Sequence, residues 1–197
     1  MIKMKIFNYK TLAILMVSLT ILIIGCSKDD NKVGNQFTYS NKSYAISYGS
    51  LEDMGESPHS PPTYEFDLIL ATKGITYNTN YLGNYIGTGS FIELNLFSRN
   101  PNDLDPGTYV FDGFASGDSL TFDGGSIGIN YNLSTGEPDT AFYEIETGAI
   151  NVVKRGNSYE LDFSLYIDGK KEVKGYYLGA LEKHVYIDKK KKINLKN

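Results

Sequence analysis

The sequence predicts an all-β fold, an antiparallel barrel or sandwich of about 8–10 strands that is lipocalin-like or related. Three observations support this prediction. Short runs of alternating apolar and polar residues recur along the chain. Tyr, Phe and Gly are abundant, with 16, 10 and 20 residues, and Trp is absent, which is typical of sheets joined by many turns. No long stretch after residue 25 has helical periodicity.

The clearest strand lies near the C-terminus. Every second residue from Tyr159 to Ile167 is apolar, which predicts a strand with one buried face. Asp168-Gly169 then provides residues that tolerate the positive φ of a tight hairpin turn. The returning strand, roughly residues 171–181, contains Gly175 and Gly179, and glycines inside a strand indicate a bulge or a sharp bend.

Shorter alternating runs predict the remaining strands, with hairpin turns between several of them. Asn41-Lys42 is predicted to be the first turn, and Ala149–Val153 is expected to pair with the strand that begins at Tyr159. The predicted strands are Phe37–Ser40, Tyr44–Leu51, Tyr64–Leu70, Ile92–Leu96, Gly107–Phe111, Ile127–Leu133, Ala141–Ile145 and Ala149–Val153.

Residues 1–25 have the order of charge and hydrophobicity of a cleaved signal peptide. Three lysines precede the apolar run Thr11–Ile24, whose roughly fourteen residues are too few to span a bilayer as a helix. Ile23-Ile24-Gly25-Cys26 resembles the bacterial lipobox, in which the thiol is diacylated and the chain is cut before the cysteine. The resemblance implies a mature chain that begins at Cys26 and is held to a membrane by acyl chains. An ordinary thiol in a single-pass anchor is the alternative.

Residues 26–36 are polar and are predicted to be a lipidated, flexible tether. Ser27-Lys28-Asp29-Asp30 resembles the signal that exports Bacteroidota lipoproteins to the outer face of the outer membrane. Ser27 also stands where the inner-membrane retention signal has Asp. We therefore expect an outer-membrane, lipid-anchored protein exposed on the cell surface, with the periplasmic face as the alternative.

Residues 37–188 are long enough for a single β domain with its own core. Residues 26–188 contain 11 basic and 23 acidic residues, whereas the tail at 189–197 contains five lysines and no acid. An acidic body argues against a nucleic-acid partner. The basic tail is expected to be a solvated chain end. Because Cys26 is the only cysteine, no disulfide is expected.

Several segments, in a fixed order, resemble a group of small, β-rich surface lipoproteins of Bacteroidota. The likeness covers most of residues 36–181 and implies the fold and the location, but it lends no catalytic residues. The segments are Phe37-Thr-Tyr-Ser-Asn-Lys-Ser-Tyr, Phe91-Ile-Glu-Leu-Asn-Leu-Phe-Ser, Leu104-Asp-Pro-Gly-Thr-Tyr-Val-Phe, Gly148-Ala-Ile-Asn-Val-Val, Tyr159-Glu-Leu-Asp-Phe, Asp168-Gly-Lys and Lys174-Gly-Tyr-Tyr-Leu-Gly-Ala-Leu.

The candidates for catalysis and metal binding are weak. Gly117-Asp118-Ser119-Leu120 matches the name of the GDSL esterases, but it lies mid-chain and lacks the following helices and the Asp-x-x-His. The two histidines, His59 and His184, have no second ligand at zinc spacing, so no metal or other cofactor is expected. The oxygen-rich segment 100–105 is interpreted as a turn stabilised by Asx side chains, with a Ca²⁺ loop as the alternative.

Two kinds of surface site are predicted. Tyr77, Tyr81 and Tyr85 lie in a Gly- and Asn-rich stretch and form the candidate patch for a ligand or partner, unless their rings pack at the rim of the barrel. Asp118-Ser119-Leu120 and Asp139-Thr140-Ala141 resemble the O-glycosylation pattern of exported Bacteroidota proteins, which makes Ser119 and Thr140 candidate glycosylation sites.

These observations favour a non-enzymatic binding or accessory module that meets an outer-membrane protein or a glycan through its loops. The alternative is a lipocalin-like carrier of a small apolar ligand, which needs an interior too large for its own side chains to fill. A hydrolase that uses His59 or His184 is the least favoured hypothesis.

Overall fold

The structure is a computed structural model that describes residues 34–58, 61–78, 85–135 and 137–185, with the backbone alone for 137–140. The predicted signal peptide, Cys26, most of the tether and the basic tail lie outside the described residues, so these predictions stay predictions. Within the described part, the chain forms eleven strands and no helix. They are β1 Gln36–Tyr39, β2 Lys42–Ser57, β3 Thr63–Thr72, β4 Ile75–Tyr77, β5 Tyr85–Ser98, β6 Gly107–Phe111, β7 Thr121–Asn132, β8 Glu137–Arg155, β9 Ser158–Ile167, β10 Lys171–Gly179 and β11 Glu182–Val185.

Nine of these strands close into a mixed β-barrel, which confirms the predicted all-β fold and selects the barrel over the sandwich. The strands follow one another around the barrel in the order β1, β2, β3, β5, β7, β6, β8, β9 and β10, and β1 closes the ring by pairing with both β2 and β10. Closure leaves the barrel without the long open edges of a flat sheet.

The barrel departs from a simple antiparallel meander at two places. The short strand β6 lies between β7 and β8 where those strands separate, and it runs parallel to β7. The last strand, β11, runs parallel to β2 beyond the part of β2 that pairs with β1. The described part of the chain contains no helix that is long and apolar enough to cross a membrane.

The predicted hairpins form, with two differences in detail. The first turn is Ser40-Asn41 rather than Asn41-Lys42, and both residues have positive φ, 49° and 61°, as a type I′ turn requires. The two predicted strands Ala141–Ile145 and Ala149–Val153 are one strand, β8, because a bulge between Ile145 and Thr147 keeps the chain extended.

Large apolar side chains fill the barrel interior. Alternation on β9 directs Leu161, Phe163 and Leu165 inward, as the sequence predicts. Gly175 makes room for one of these rings, since a Cβ at this position would lie 2.1 Å from the ring of Phe163. The largest of the fully buried side chains are Tyr109, Phe37, Phe66, Phe122 and Phe163. The core is therefore formed of interlocking aromatic and aliphatic side chains.

Candidate functional site

The β4–β5 hairpin places a cluster of aromatic side chains on the outer face of the barrel. We call Tyr48, Tyr77, Tyr85 and His184 the tyrosine–histidine cluster. The ring of His184 stacks on Tyr77 with centroids 3.5 Å apart, and Tyr77 meets Tyr85 edge to face at 5.2 Å. The hydroxyl of Tyr48 is 3.1 Å from Nε2 of His184. Ring stacking and this contact hold β4, β2 and β11 together outside the barrel.

Strand register explains why these side chains meet. A bulge between Ile46 and Tyr48 reverses the alternation of β2, so that Tyr48 and Ser50 face outward while Leu51 faces the core. β11 pairs His184 with Glu52, which places the imidazole on the same outer face. The Oγ of Ser50 is 2.9 Å from the hydroxyl of Tyr85, which ties the hairpin to β2.

The cluster carries little charge near neutral pH. Burial raises the pKa of Tyr48 to about 12 and also raises the pKa of Tyr77 and of Tyr85. Burial lowers the pKa of His184, although Glu182 at 3.7 Å opposes the change. The cluster therefore presents neutral rings and hydrogen-bonding groups rather than an ionised pair.

The structure brings together two of the three predicted tyrosines. Tyr77 and Tyr85 are in contact, and Tyr81 lies outside the described residues. Tyr85 is only 8% exposed and its hydroxyl faces Ser50, so its ring is covered in this conformation. Tyr77 is half-buried against His184. The two rings pack on the outside of the barrel, and their role as a ligand patch stays a prediction.

A second aromatic surface lies between β6 and β8. An open depression of about 720 Å³ is lined by the aromatic residues Phe111, Phe142 and Tyr143 and by the acidic residues Glu144, Glu146 and Asp168. Gly113 also lines it, and the next residue, Phe114, is 96% exposed. We call this depression together with Phe114 the Phe114 groove. It offers ring surfaces beside carboxylate oxygens that accept hydrogen bonds.

The turn that presents Phe114 is held by its own hydrogen bonds. The Asp112 carboxylate accepts hydrogen bonds from the backbone N–H groups of Phe114, at 3.0 Å, and Ser116, at 2.8 Å. A hydrogen bond from the side chain of Ser116, followed in effect by these two backbone bonds, lowers the pKa of Asp112, so the carboxylate stays ionised and keeps accepting hydrogen bonds. Sequence reasoning missed this site, although Asp112-Gly113-Phe114 is an Asx-turn sequence with an isolated large apolar residue.

The oxygen-rich segment 100–105 behaves as a turn. Oδ1 of Asn100 accepts a hydrogen bond from the N–H of Asn102 at 3.0 Å, and Oδ2 of Asp105 accepts one from the N–H of Arg99 at 3.0 Å. Among the described residues, no group of three or more acidic, His or Cys side chains is arranged to hold a metal ion. The side-chain oxygens of Asn100 and Asp105 accept hydrogen bonds from backbone N–H groups, as the turn interpretation expects.

Asp103, the remaining acid of that segment, is buried and ties the loop to the barrel. Lys154 forms an ion pair with its carboxylate, Tyr159 donates a hydrogen bond to it, and Nζ of Lys183 lies 3.1 Å away. Burial alone would raise the pKa of Asp103, but these partners outweigh burial and lower it. The ionised carboxylate thus joins the segment to β8, β9 and β11.

The remaining predicted site residues are the two candidate glycosylation sites and His59. Ser119 is half-exposed in the turn before β7, and its Oγ accepts a hydrogen bond from Nε of Arg99 at 2.9 Å. Thr140 lies within β8, but its side chain is outside the described part, as is all of His59. Glycosylation of Ser119 and Thr140 stays a prediction.

Comparison with known proteins adds no family to this description. No protein-family model, no curated protein sequence and no solved structure matches the chain. The class that the described residues define is a closed, mixed β-barrel with a packed interior and two aromatic surfaces.

Proposed function

We propose that the chain is an outer-membrane lipoprotein, anchored through acyl chains on Cys26, that acts as a non-enzymatic binding module on the cell surface. Its partner is an outer-membrane protein or a glycan, and the Phe114 groove is the surface that receives it. The single observation that carries the binding role is the almost complete exposure of Phe114, at 96%, on a turn closed by hydrogen bonds.

An exposed phenylalanine on a preorganised turn suits binding for an energetic reason. Burial of a phenylalanine side chain is worth roughly 1.5–3 kcal/mol, and that free energy is available on association because the folded chain leaves Phe114 in water. Closure of the turn by Asp112 lowers the entropy lost when the loop is held by a partner. Buried aromatic anchors of this kind dominate many interfaces.

The groove beside Phe114 supports both partner classes. Phe142 is 46% exposed and Tyr143 is half-buried, so ring surface is available for stacking. Glu144, Glu146 and Asp168 can accept hydrogen bonds from sugar hydroxyls or from amide and ammonium groups of a protein. The carrier alternative gains no such support, because the described inward-facing residues fill the barrel with large buried side chains.

The anchor is tested by metabolic labelling of intact bacteria with palmitate. The full chain should incorporate label and should be removed from intact cells by an added protease, whereas Cys26→Ala should incorporate none. Labelling of Cys26→Ala equal to the full chain would refute the anchor. Resistance of the labelled protein to the protease would refute surface display alone.

The groove is tested by photo-crosslinking on intact cells, with benzoyl-phenylalanine in place of Phe114. Leu178 is the matched control position, since it is 41% exposed and lies on β10, away from the residues that line the groove. We expect a crosslinked product from position 114 that is absent from position 178. Protease treatment followed by sugar analysis of the product separates a protein from a glycan. Equal products at both positions, or none at 114, would refute binding at the groove.

A further inference from the structure

The Phe114 groove lies at a fork in the barrel wall. β7 and β8 pair with each other as far as Ser126 and Glu144, and beyond that point β6 lies between them. The chain leaves β6 at Phe111 and then turns through the exposed Phe114. The groove is therefore lined both by the end of β6 with the turn that follows it and by residues 142–146 of β8.

Two carboxylates of the groove have no cation of their own. Glu144 and Glu146 are exposed, and neither forms an ion pair or a side-chain hydrogen bond with any other described residue. Asp168, the third acid of the groove, is paired with Lys171 at 2.6 Å. Glu144 and Glu146 are therefore open to a cation that a ligand supplies.

The chain itself holds a cation at the rim of the groove. Nζ of Lys171 lies 2.6 Å from Oδ2 of Asp168 and 5.9 Å from the centroid of the Tyr143 ring. An ammonium group thus sits between a carboxylate and an aromatic face, and this combination recognises organic cations.

The same combination is repeated on β8 with no cation from the described chain. Phe142 and Glu144 are two residues apart, so their side chains project from the same face of the strand. Phe142 is 46% exposed, and its ring packs against Tyr131 with centroids 5.3 Å apart, which restricts its motion. An exposed ring and an exposed carboxylate therefore stand side by side, with Phe114 across the groove.

Charge decides which class of ligand suits this surface. A neutral partner that covered Glu144 and Glu146 would remove water from two carboxylates and return no charge, which costs free energy. A cationic group replaces the lost hydration. A guanidinium group is better suited than an ammonium group, because it is planar, stacks on aromatic faces and donates two parallel hydrogen bonds to a carboxylate.

We propose that the Phe114 groove binds an arginine-bearing segment of the partner protein. The guanidinium group stacks on Phe142 and donates hydrogen bonds to the carboxylates of Glu144 and Glu146, and apolar parts of the same segment cover Phe114. This inference rests on the proposed function, because it names the chemistry of the partner at the same groove. Of the two partner classes it selects the protein.

A peptide titration tests the chemistry of the groove. The full chain, in non-ionic detergent at low salt, is titrated with acetyl-Gly-Arg-Gly-Arg-Gly-amide and with the same peptide carrying citrulline, a neutral isostere, in place of arginine. We expect the arginine peptide to produce saturable NMR shifts of the backbone amides at 111–114 and 142–146. The citrulline peptide should bind at least about fivefold more weakly. Equal binding of the two peptides, or tighter binding of a glucosamine tetramer, would overturn the proposal.

Two double variants assign the binding to the groove carboxylates. Glu144→Gln with Glu146→Gln should weaken binding of the arginine peptide at least about fivefold. Glu56→Gln with Asp162→Asn removes the same charge from exposed positions that do not line the groove, and should change binding by less than about twofold. Similar losses in both double variants would show a general effect of net charge and would overturn the proposal.

Crosslinking on intact cells separates this inference from the proposed function. Benzoyl-phenylalanine at position 114 is combined with each double variant, and we expect the crosslinked product to fall at least about fivefold with Glu144→Gln and Glu146→Gln only. An undiminished product would overturn the arginine-bearing segment while binding at the groove stands. Absence of any product from position 114 in the otherwise unchanged chain would refute the proposed function, and this inference with it.

Discussion

The imidazole ring of His184 lies flat on the phenol ring of Tyr77, with centroids 3.5 Å apart and planes inclined by 5°. These residues come from β11 and β4, two short strands outside the closed ring of the barrel. The stack therefore joins the β4–β5 hairpin to the last described strand. Because Tyr48 approaches Nε2 of the same imidazole, one side chain links three strands.

Replacement of His184 should loosen this junction. We expect His184→Ala to lower the free energy of unfolding by about 1–2 kcal/mol, since it loses both the stack and the contact with Tyr48. His184→Phe should lose less, because it keeps a ring against Tyr77. Urea unfolding of the full chain measures both. Equal losses for the two variants would show that stacking contributes little.

His184 should also make stability depend on pH. Its pKa in the folded state is lowered from 6.5, so the unfolded state binds the proton more readily. The stabilising contribution is complete above about pH 6.5 and is lost as the pH falls through the folded-state pKa. The loss of unfolding free energy between pH 7 and pH 5 should be smaller in His184→Phe. Identical pH dependence in both proteins would contradict the assigned direction of the shift.

Asp67 should act in the opposite direction. Its pKa is raised from 3.8 to about 7 by burial and then by its acidic neighbours, so the folded state holds the proton more tightly. Its contribution is complete below pH 3.8 and is lost as the pH rises to about 7. At about 1.4 kcal/mol per pKa unit, the ceiling of this loss is about 4 kcal/mol. Asp67→Asn should therefore be more stable than the parent chain at pH 8 and nearly equal to it at pH 4. Glu144→Gln, an exposed acid on β8, is the control and should show no such gain.

Asp103 should be one of the most sensitive polar positions. Asp103→Asn replaces the buried carboxylate between Lys154, Tyr159 and Lys183 by a neutral amide, and we expect it to lower the free energy of unfolding by about 2–4 kcal/mol at pH 7. The lowered pKa of Asp103 means that its contribution is present above pH 3.8 and is lost as the pH falls through the folded-state pKa. Asp168→Asn removes an exposed ion pair with Lys171 and should change stability little. Denaturant titrations at pH 7 and pH 3 distinguish these outcomes.

Gly175 should be intolerant of any side chain. A Cβ there would lie 2.1 Å from the ring of Phe163, so Gly175→Ala should cost about 1–3 kcal/mol. Phe163→Leu in the same chain should recover part of that loss. Gly34→Ala, where nothing lies within 4 Å, should be neutral. Thermal unfolding measures all three, and a neutral Gly175→Ala would contradict the packing.

The alternation of apolar and polar residues along the sequence was sufficient to predict much of this fold. The inward residues of β9, from Tyr159 to Ile167, carry the same period-two pattern in the sequence and in the barrel. Closure of the ring could not be predicted in this way, because it depends on β1 pairing with β10, about 136 residues away in sequence at Thr38 and Lys174. The strand β11 was missed because its four residues, Glu182 to Val185, do not alternate in polarity.

The candidate surfaces were less predictable than the fold. The proximity of Tyr77 and Tyr85 follows from a short hairpin, but their burial depends on β2 and β11, which the sequence does not place nearby. No periodic pattern in the sequence around Phe114 indicates that this residue is exposed. Its exposure results from the way β6 enters between β7 and β8 and the chain then turns at Asp112.

Accessibility of introduced cysteines on intact cells tests the central claim, a surface-displayed module bound through the Phe114 groove. Ser116→Cys lies beside Phe114, and Leu178→Cys is the exposed control on β10; both are labelled with a membrane-impermeant maleimide. We predict that position 178 is labelled on cells while position 116 is protected, and that both are labelled after the protein is purified from its partner. Absence of label at both positions on cells would contradict surface display. Equal labelling at both positions on cells would contradict an occupied groove.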